Sequence, residues 1–198
     1  LVPTGGGGLL AGVAIAVKAL RPDVRVVGVQ AEGAAAYPAS LAAGHPLQLA
    51  SMKTMADGIA VGLPGDLTFA AVRDHVDEIL TVSEELISRA VLALAERAKL
   101  VVEPAGAAAV AAILDQPERF GTPLVAVLSG GNIDPLLLGK VIRHGMAAAG
   151  RYLNLHITIP DTPGGLATLL TQVSAVGANV LEVVHERISP RLDLDQVE

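Results

Sequence analysis

The chain has 198 residues, 52% hydrophobic and 17% charged, which excludes general disorder and leaves room for a sizeable core in one domain or one and a fraction. Aromatics make up 2% with no tryptophan, and 14 basic against 20 acidic residues give a net charge of −6, which together exclude nucleic-acid stacking platforms and polyanion partners. The absence of cysteine excludes disulfides and thiolate sites and fits a cytoplasmic, reducing compartment, while no run reaches the roughly 18 apolar residues of a membrane span and no signal peptide is readable.

Residues 1–4 read as a strand already under way, and 192–198 alternate like a strand, so both ends are expected to be cut from a longer protein. Gly5 to Gly8 form a loop. Leu9, Leu10, Val13, Ala14, Val17 and Leu20 then recur at helical spacing, ending before Pro22. Val24 to Val29 is a short apolar run of the kind found in buried parallel strands. Loops with one short helix near 34–43 follow, then a helix over 68–75 and a strand over 78–82. Ser83 is the N-cap of a helix whose Ile87, Ala90, Val91, Leu94 and Ala98 share a face, with Glu84 and Glu85 at its positive end. Pro104 suits a first helical position, ahead of an Ala-rich helix over 105–114. Leu124 to Leu128 is a further buried strand. Asp134-Pro135 opens a helix that Gly150 stops. Strands alternating with helices predict an α/β fold, a twisted and mostly parallel sheet with flanking helices.

At about residue 151 the pattern changes. Leu153, Leu155, Ile157 and Ile159 alternate with Asn154, His156 and Thr158, which predicts a half-exposed strand. Thr162-Pro163 caps a helix carrying Leu166, Leu169, Leu170 and Val173, ended by Gly177, and Val180 to Ile188 is a strand again. Residues 1–150 and 151–198 are therefore expected as two domains, the second a partial α+β one.

Gly5 to Gly8 is the sharpest local feature. Four glycines between a strand and a helix leave backbone N–H groups uncovered at the positive end of a helix dipole, an arrangement that binds anions. A nucleotide P-loop is rejected because Val13 stands where lysine is required. A dinucleotide fingerprint is met by Gly6, Gly8 and Ala11, with Glu32 placed as the ribose-binding acid of a Rossmann oxidoreductase using NAD(P). The third reading is a phosphate cup for pyridoxal phosphate, and a plain tight turn is the structural alternative. Ser129-Gly130-Gly131-Asn132 favours the cup: a hydroxyl at a strand's C-terminal end, followed by two glycines, lets a flat ring approach the backbone. The histidines at 45, 75, 144, 156 and 185 show no metal-ligand spacing. Asp193 and Asp195 are expected on an exposed strand face, and Met52 and Met55 as gap-filling side chains.

Thr4-Gly5-Gly6-Gly7-Gly8-Leu9, Ala56-Asp57-Gly58, Val102-Glu103-Pro104-Ala105-Gly106-Ala107 and Leu128-Ser129-Gly130-Gly131-Asn132-Ile133-Asp134 occur in order over residues 1–148. In order and spacing they resemble the serine/threonine dehydratase family of pyridoxal-phosphate enzymes. Asp161-Thr162-Pro163-Gly164-Gly165-Leu166 resembles the strand-to-helix turn of an ACT-type regulatory domain. The resemblance implies a tryptophan synthase beta-like fold, incomplete here, followed by a partial ACT-like domain.

It also implies pyridoxal 5'-phosphate as cofactor. Gly5, Gly6, Gly7, Gly8 and Leu9 would hold its phosphate, Ser129 its pyridine nitrogen, and Gly58 and Glu103 would lie beside the ring. The implied reaction is deamination of L-threonine to 2-oxobutanoate and ammonia, and of L-serine to pyruvate. The Schiff-base lysine is expected upstream of this segment, so Lys18, Lys53, Lys99 and Lys140 receive no catalytic role. A divalent-cation site of some relatives would map to Glu32, Ala36 and Pro38, where the second acid is missing, and no metal is assigned. The expected partners are a small amino-acid substrate, an amino-acid effector at the ACT-like turn, and further copies of the chain in a homodimer or homotetramer, with no nucleic acid and no membrane. A serine racemase-type enzyme and a non-catalytic fragment remain alternatives.

Overall fold

Three parallel strands, β1 (Val2–Pro3), β2 (Val27–Ala31) and β3 (Glu78–Val82), lie side by side in that order. Gly28 of the central strand pairs with Val2 on one side and Ile79 on the other. All five residues of β2 are buried, its one polar side chain, Gln30, included, the reason its sequence shows no regular apolar–polar alternation. The computed structural model describes residues 1–153, 155–186 and 196–197, and it divides into two units, Leu1–Tyr152 and Leu153–Glu198.

In the first unit the helices are α1 (Gly8–Leu20), α2 (Ala36–Ala43), α3 (Asp66–His75), α4 (Glu84–Ala93), α5 (Pro104–Asp115) and α6 (Pro135–Ala148). They gather into two apolar clusters. One joins Val29, Ala31 and Val82 to Ile87 and Val91 of α4, Ala107 and Ala108 of α5 and Val141 of α6. The other joins Val2 to Leu10 and Ala14 of α1, Tyr37 of α2 and Phe69 and Val72 of α3. Burying a side chain such as Leu10 fully contributes about 1.5–3 kcal/mol. Eight of the twelve residues of α5 are buried, which its alanines permit by letting the helix lie close to the sheet.

The caps expected in this unit are present, whereas the cap expected at Thr162-Pro163 in the second unit is not: the helix there starts after Gly164, in the left-handed conformation, with no side-chain cap bond. The Ser83 hydroxyl accepts the Leu86 N–H at 3.3 Å, Pro104 opens α5, and Asp134 accepts from Leu136 and Leu137. The helix after Ser83 does not continue as α-helix to 98. It passes into a π-helical turn over Leu94–Ala98, ended by Lys99 at φ 60°. β2 begins at Val27, not Val24, and α3 begins at Asp66.

Residues 124–128, expected as a buried strand, form none. Their register with β1 starts, since the Leu1 amine donates to Val125 O at 2.8 Å and Val127 N–H donates to Leu1 O at 3.0 Å. Bonding directions alternate along a strand, so the next residue facing this side is Pro3, which has no N–H to extend the ladder.

In the second unit, β4 (Ile159–Pro160) and β5 (Gln196–Val197) pair antiparallel, and α7 (Gly165–Ala175) lies between them in sequence. The strand expected over 153–159 is reduced to its last residue, and none forms over 180–186. An alternating strand needs a paired neighbour and a covered face, yet Leu153, Leu181 and Val184 are largely exposed. Asn154, residues 187–188, Asp193 and Asp195 lie outside the described residues. Gly177, at φ 74°, follows the end of α7 as expected of a helix stop. Among the described residues no helix is long and apolar enough to cross a membrane.

Candidate functional site

The four glycines connect β1 to α1 in a loop whose carbonyls are tied inward. Gly6 O accepts the Thr68 hydroxyl at 2.7 Å and the Tyr37 hydroxyl at 3.2 Å, and Gly5 O faces Gln30 Nε2 at 3.4 Å. Gln30 and Tyr37 are fully buried, and Gln30 Oε1 accepts the Tyr37 backbone N–H at 2.9 Å. Burial pushes the Tyr37 phenol above its ordinary value, against the opposing bond to Thr68, so it remains a neutral donor. Gly7 adopts φ 92°, and a side chain there would strike the Tyr37 hydroxyl.

The other polarity of the loop points to a helix end. The first intrahelical bond of α1 runs from Ala11 N–H to Gly7 O, and no side chain caps the helix. The N–H groups of Gly7, Gly8, Leu9 and Leu10 therefore have no helical partner and gather at the positive end of the dipole. Gly8 and Leu9 are exposed, and a Cβ on Gly8 would meet open space. This is an anion cradle.

A second wall joins it. A Cβ on Gly5 would stand 3.0 Å from Ile59 Cα, and one on Gly58 would stand 3.0 Å from Ala105 Cβ and 3.8 Å from Glu103 Oε1. The Glu103 carboxylate fills the space a Gly130 side chain would take, and Glu103 N–H donates to Gly130 O at 3.1 Å. Gly5, the 57–59 turn, Glu103 and Gly130 thus form one continuous surface, with Ser129 exposed beside it. Thr4 follows the bonded Leu1 by three residues and Leu128-Ser129 follow the bonded Val127 directly. The two segments run parallel from these bonds, so Ser129, although no strand ends there, lies with Thr4-Gly5 toward the C-terminal end of β1, where open α/β sheets place their ligands.

Sequence reasoning missed Gln30, Tyr37 and Thr68. They act through contacts 25 to 62 residues away, and no local pattern marks them. The lysines stand elsewhere. Lys18 Nζ pairs with Asp77 at 2.8 Å and donates to Val24 O, Lys99 Nζ donates to Glu96 O, and Lys53 and Lys140 are exposed. Lys99 ends the π-turn. Glu32 is exposed just after β2, and the Ala36 carbonyl accepts the Ser40 hydroxyl within α2. Among the described residues no three His, Cys, Asp or Glu side chains gather as metal ligands, and all five histidines are exposed. Met55 packs against the core, whereas Met52 is exposed.

Residues 1–130 match the family described as pyridoxal-phosphate dependent enzyme. The chain belongs to this family. The family's cofactor suits the cradle: uncapped N–H groups for a phosphate, a hydroxyl at Ser129, and a glycine-lined wall that a flat ring can approach. The dinucleotide reading of Gly6, Gly8 and Ala11 gives way to this membership. The L-threonine ammonia-lyase of Thermotoga maritima is 46% identical over 187 residues, 94% of this chain and 47% of that protein. That of Geobacter sulfurreducens is 45% identical over 100% of this chain and 50% of its own. Among solved structures, a threonine deaminase from T.th. superposes with a TM-score of 0.66 at 48% identity, covering 67% of this chain and 44% of that one. The chain spans about half the length of the curated relatives it matches.

Proposed function

We propose that the whole protein deaminates L-threonine to 2-oxobutanoate and ammonia, and L-serine to pyruvate more slowly. The observation that carries this reading is the cluster of uncapped N–H groups at Gly7–Leu10, with the Gly5 and Gly6 carbonyls held away from it. Likeness to proteins named L-threonine ammonia-lyase supports the choice of substrate.

In this reading Gly5, Gly6, Gly7, Gly8 and Leu9 hold the phosphate through backbone N–H groups, and the Ser129 hydroxyl orients the ring nitrogen. Gly58 and Glu103 lie beside the ring. Bound there, the cofactor supplies the electron sink for loss of the α-proton and the β-hydroxyl. Ser129 is neutral, so it does not force a proton onto the ring nitrogen as a carboxylate would. That tempers the sink and favours β-elimination over transamination.

Residues 1–150 are assigned to the catalytic domain and 151–198 to a partial ACT-like regulatory domain of a cytoplasmic homo-oligomer, dimer or tetramer. A small amino-acid effector is placed at Asp161–Leu166. There Gly164, at φ 87°, starts α7 with no side-chain cap, beside a groove lined by Pro160, Thr162 and His185. The test of the catalytic reading is direct. The whole protein, given pyridoxal 5'-phosphate and L-threonine, is expected to form 2-oxobutanoate and ammonia in equal amounts. Formation of D-serine from L-serine with no oxo acid would instead select the racemase reading.

A further inference from the structure

We propose that Glu84 is a positioning residue for the cofactor site, holding in place the turn that carries Gly58. The inference rests on the reading of Gly58 and Glu103 as the wall beside the ring. Glu84 is the first residue of α4, whose N-terminus Ser83 already caps. Its side chain leaves the helix, and Oε2 accepts the Met55 backbone N–H at 2.7 Å.

The bonds of the segment that follows close on themselves. Thr54 Oγ1 accepts Ala56 N–H, Asp57 Oδ1 accepts Gly58 N–H, and the carbonyls of Ala56 and Asp57 accept the N–H groups of Ile59 and Ala60. Among the described residues, the bond to Glu84 is the one hydrogen bond that ties 54–61 to the rest of the unit. The same segment sets Ile59 against Gly5 and Gly58 against Ala105 and Glu103. Ala56 and Ile59 pack it into the core and Lys53 and Gly62 anchor its ends, so the Glu84 carboxylate adds the directional bond within the turn that joins the Gly5–Gly8 loop to the ring wall.

The second oxygen sharpens the point. Glu84 Oε1 is buried and has no hydrogen-bond partner. An unsatisfied buried carboxylate oxygen is a cost to folding, and an apolar residue at this position would avoid it. What Glu84 contributes is a fixed acceptor for Met55. Without it the turn samples displaced positions, and the competent site is present for only a fraction of the time. Apparent cofactor affinity then falls by that fraction.

The test uses the whole protein stripped of cofactor, with equilibrium dialysis against pyridoxal 5'-phosphate and hydrogen exchange over residues 54–60. Glu84→Ala is expected to raise the dissociation constant about tenfold and to speed exchange there, with kcat at saturating cofactor close to wild type. Glu84→Gln, which keeps an acceptor for Met55, restores binding. Glu85→Ala removes a neighbouring charge from the same helix end without reaching Met55, and it leaves binding unchanged. Equal affinity in Glu84→Ala and Glu85→Ala overturns the role, as does Glu84→Gln binding as weakly as Glu84→Ala. A wild-type protein that binds no pyridoxal phosphate overturns both this role and the site it serves. Binding with the expected pattern but no deamination of threonine leaves the role standing and removes only the proposed reaction.

Discussion

The Glu103 carboxylate occupies the place where a side chain on Gly130 would stand, while the backbone N–H of Glu103 donates to Gly130 O at 3.1 Å. The start of α5 and the loop after residue 128 are locked together by this pair. Gly130→Ala can be accommodated only by swinging the carboxylate away, a movement at the free end of a flexible side chain. The variant is expected to fold with nearly unchanged Tm and to lose about a hundredfold in threonine turnover. Gly106→Ala meets backbone instead, since its Cβ would lie 2.5 Å from Gly130 O and 2.8 Å from Gly130 N. It is expected to cost about 1–3 kcal/mol of stability in a denaturant titration.

The Gly5–Gly8 loop gives a second pair of variants. Thr68→Val removes the 2.7 Å donor to Gly6 O and leaves that carbonyl to the longer bond from Tyr37. A loss of about 1 kcal/mol in stability is expected, with weaker cofactor binding in dialysis. Gly7→Ala combines a left-handed backbone with a collision against Tyr37, whose buried ring stacks on Phe69 at 6.4 Å and cannot yield. Its cost is at least about 1–2 kcal/mol from the backbone alone.

Ser129→Ala should leave Tm unchanged, because Ser129 is exposed and its side chain carries no bond the fold depends on. In the proposed site the ring loses its orienting donor, so turnover is expected to fall. Ser129→Asp holds a proton on the ring nitrogen and is expected to raise transamination relative to deamination, read as amino-group transfer by chromatography.

Asp77 supplies a pH dependence. Burial works to raise its pKa but is outweighed by the Lys18 ammonium, the Val26 N–H at 2.7 Å and the charges of Lys18 and Arg25, leaving it below the ordinary carboxylate value. Its folded pKa lies under its unfolded one. The contribution is therefore full above the ordinary carboxylate range and is lost as pH falls through the folded value. Asp77→Asn is expected to flatten the acid side of a Tm-against-pH curve, an effect kept small by the exposure of the pair.

The parts legible in the sequence are those set by neighbours along the chain. Ser83, Pro104 and Asp134 announce their helices through local capping chemistry, and the consecutive apolar residues Val26 to Val29 announce burial of β2 on both faces. The strand at 124–128 reads equally well, but its outcome turns on Pro3, which is distant in the chain. Leu153 and Leu155 alternate like a strand without a covering face in the described residues. Within the site, the glycines and Ser129 are visible as motifs. The residues that aim the glycines, Gln30, Tyr37 and Thr68, look like ordinary core or helix positions until the fold brings them to Gly5 and Gly6.

The most direct measurement is a crystal structure of the whole protein with pyridoxal 5'-phosphate. The account predicts the phosphate within hydrogen-bonding distance of the N–H groups of Gly5 to Leu9, the ring nitrogen against the Ser129 hydroxyl, and Gly58 and Glu103 flanking the ring. A phosphate bound away from the Gly5–Gly8 loop, or a ring nitrogen facing a carboxylate in place of Ser129, would contradict it.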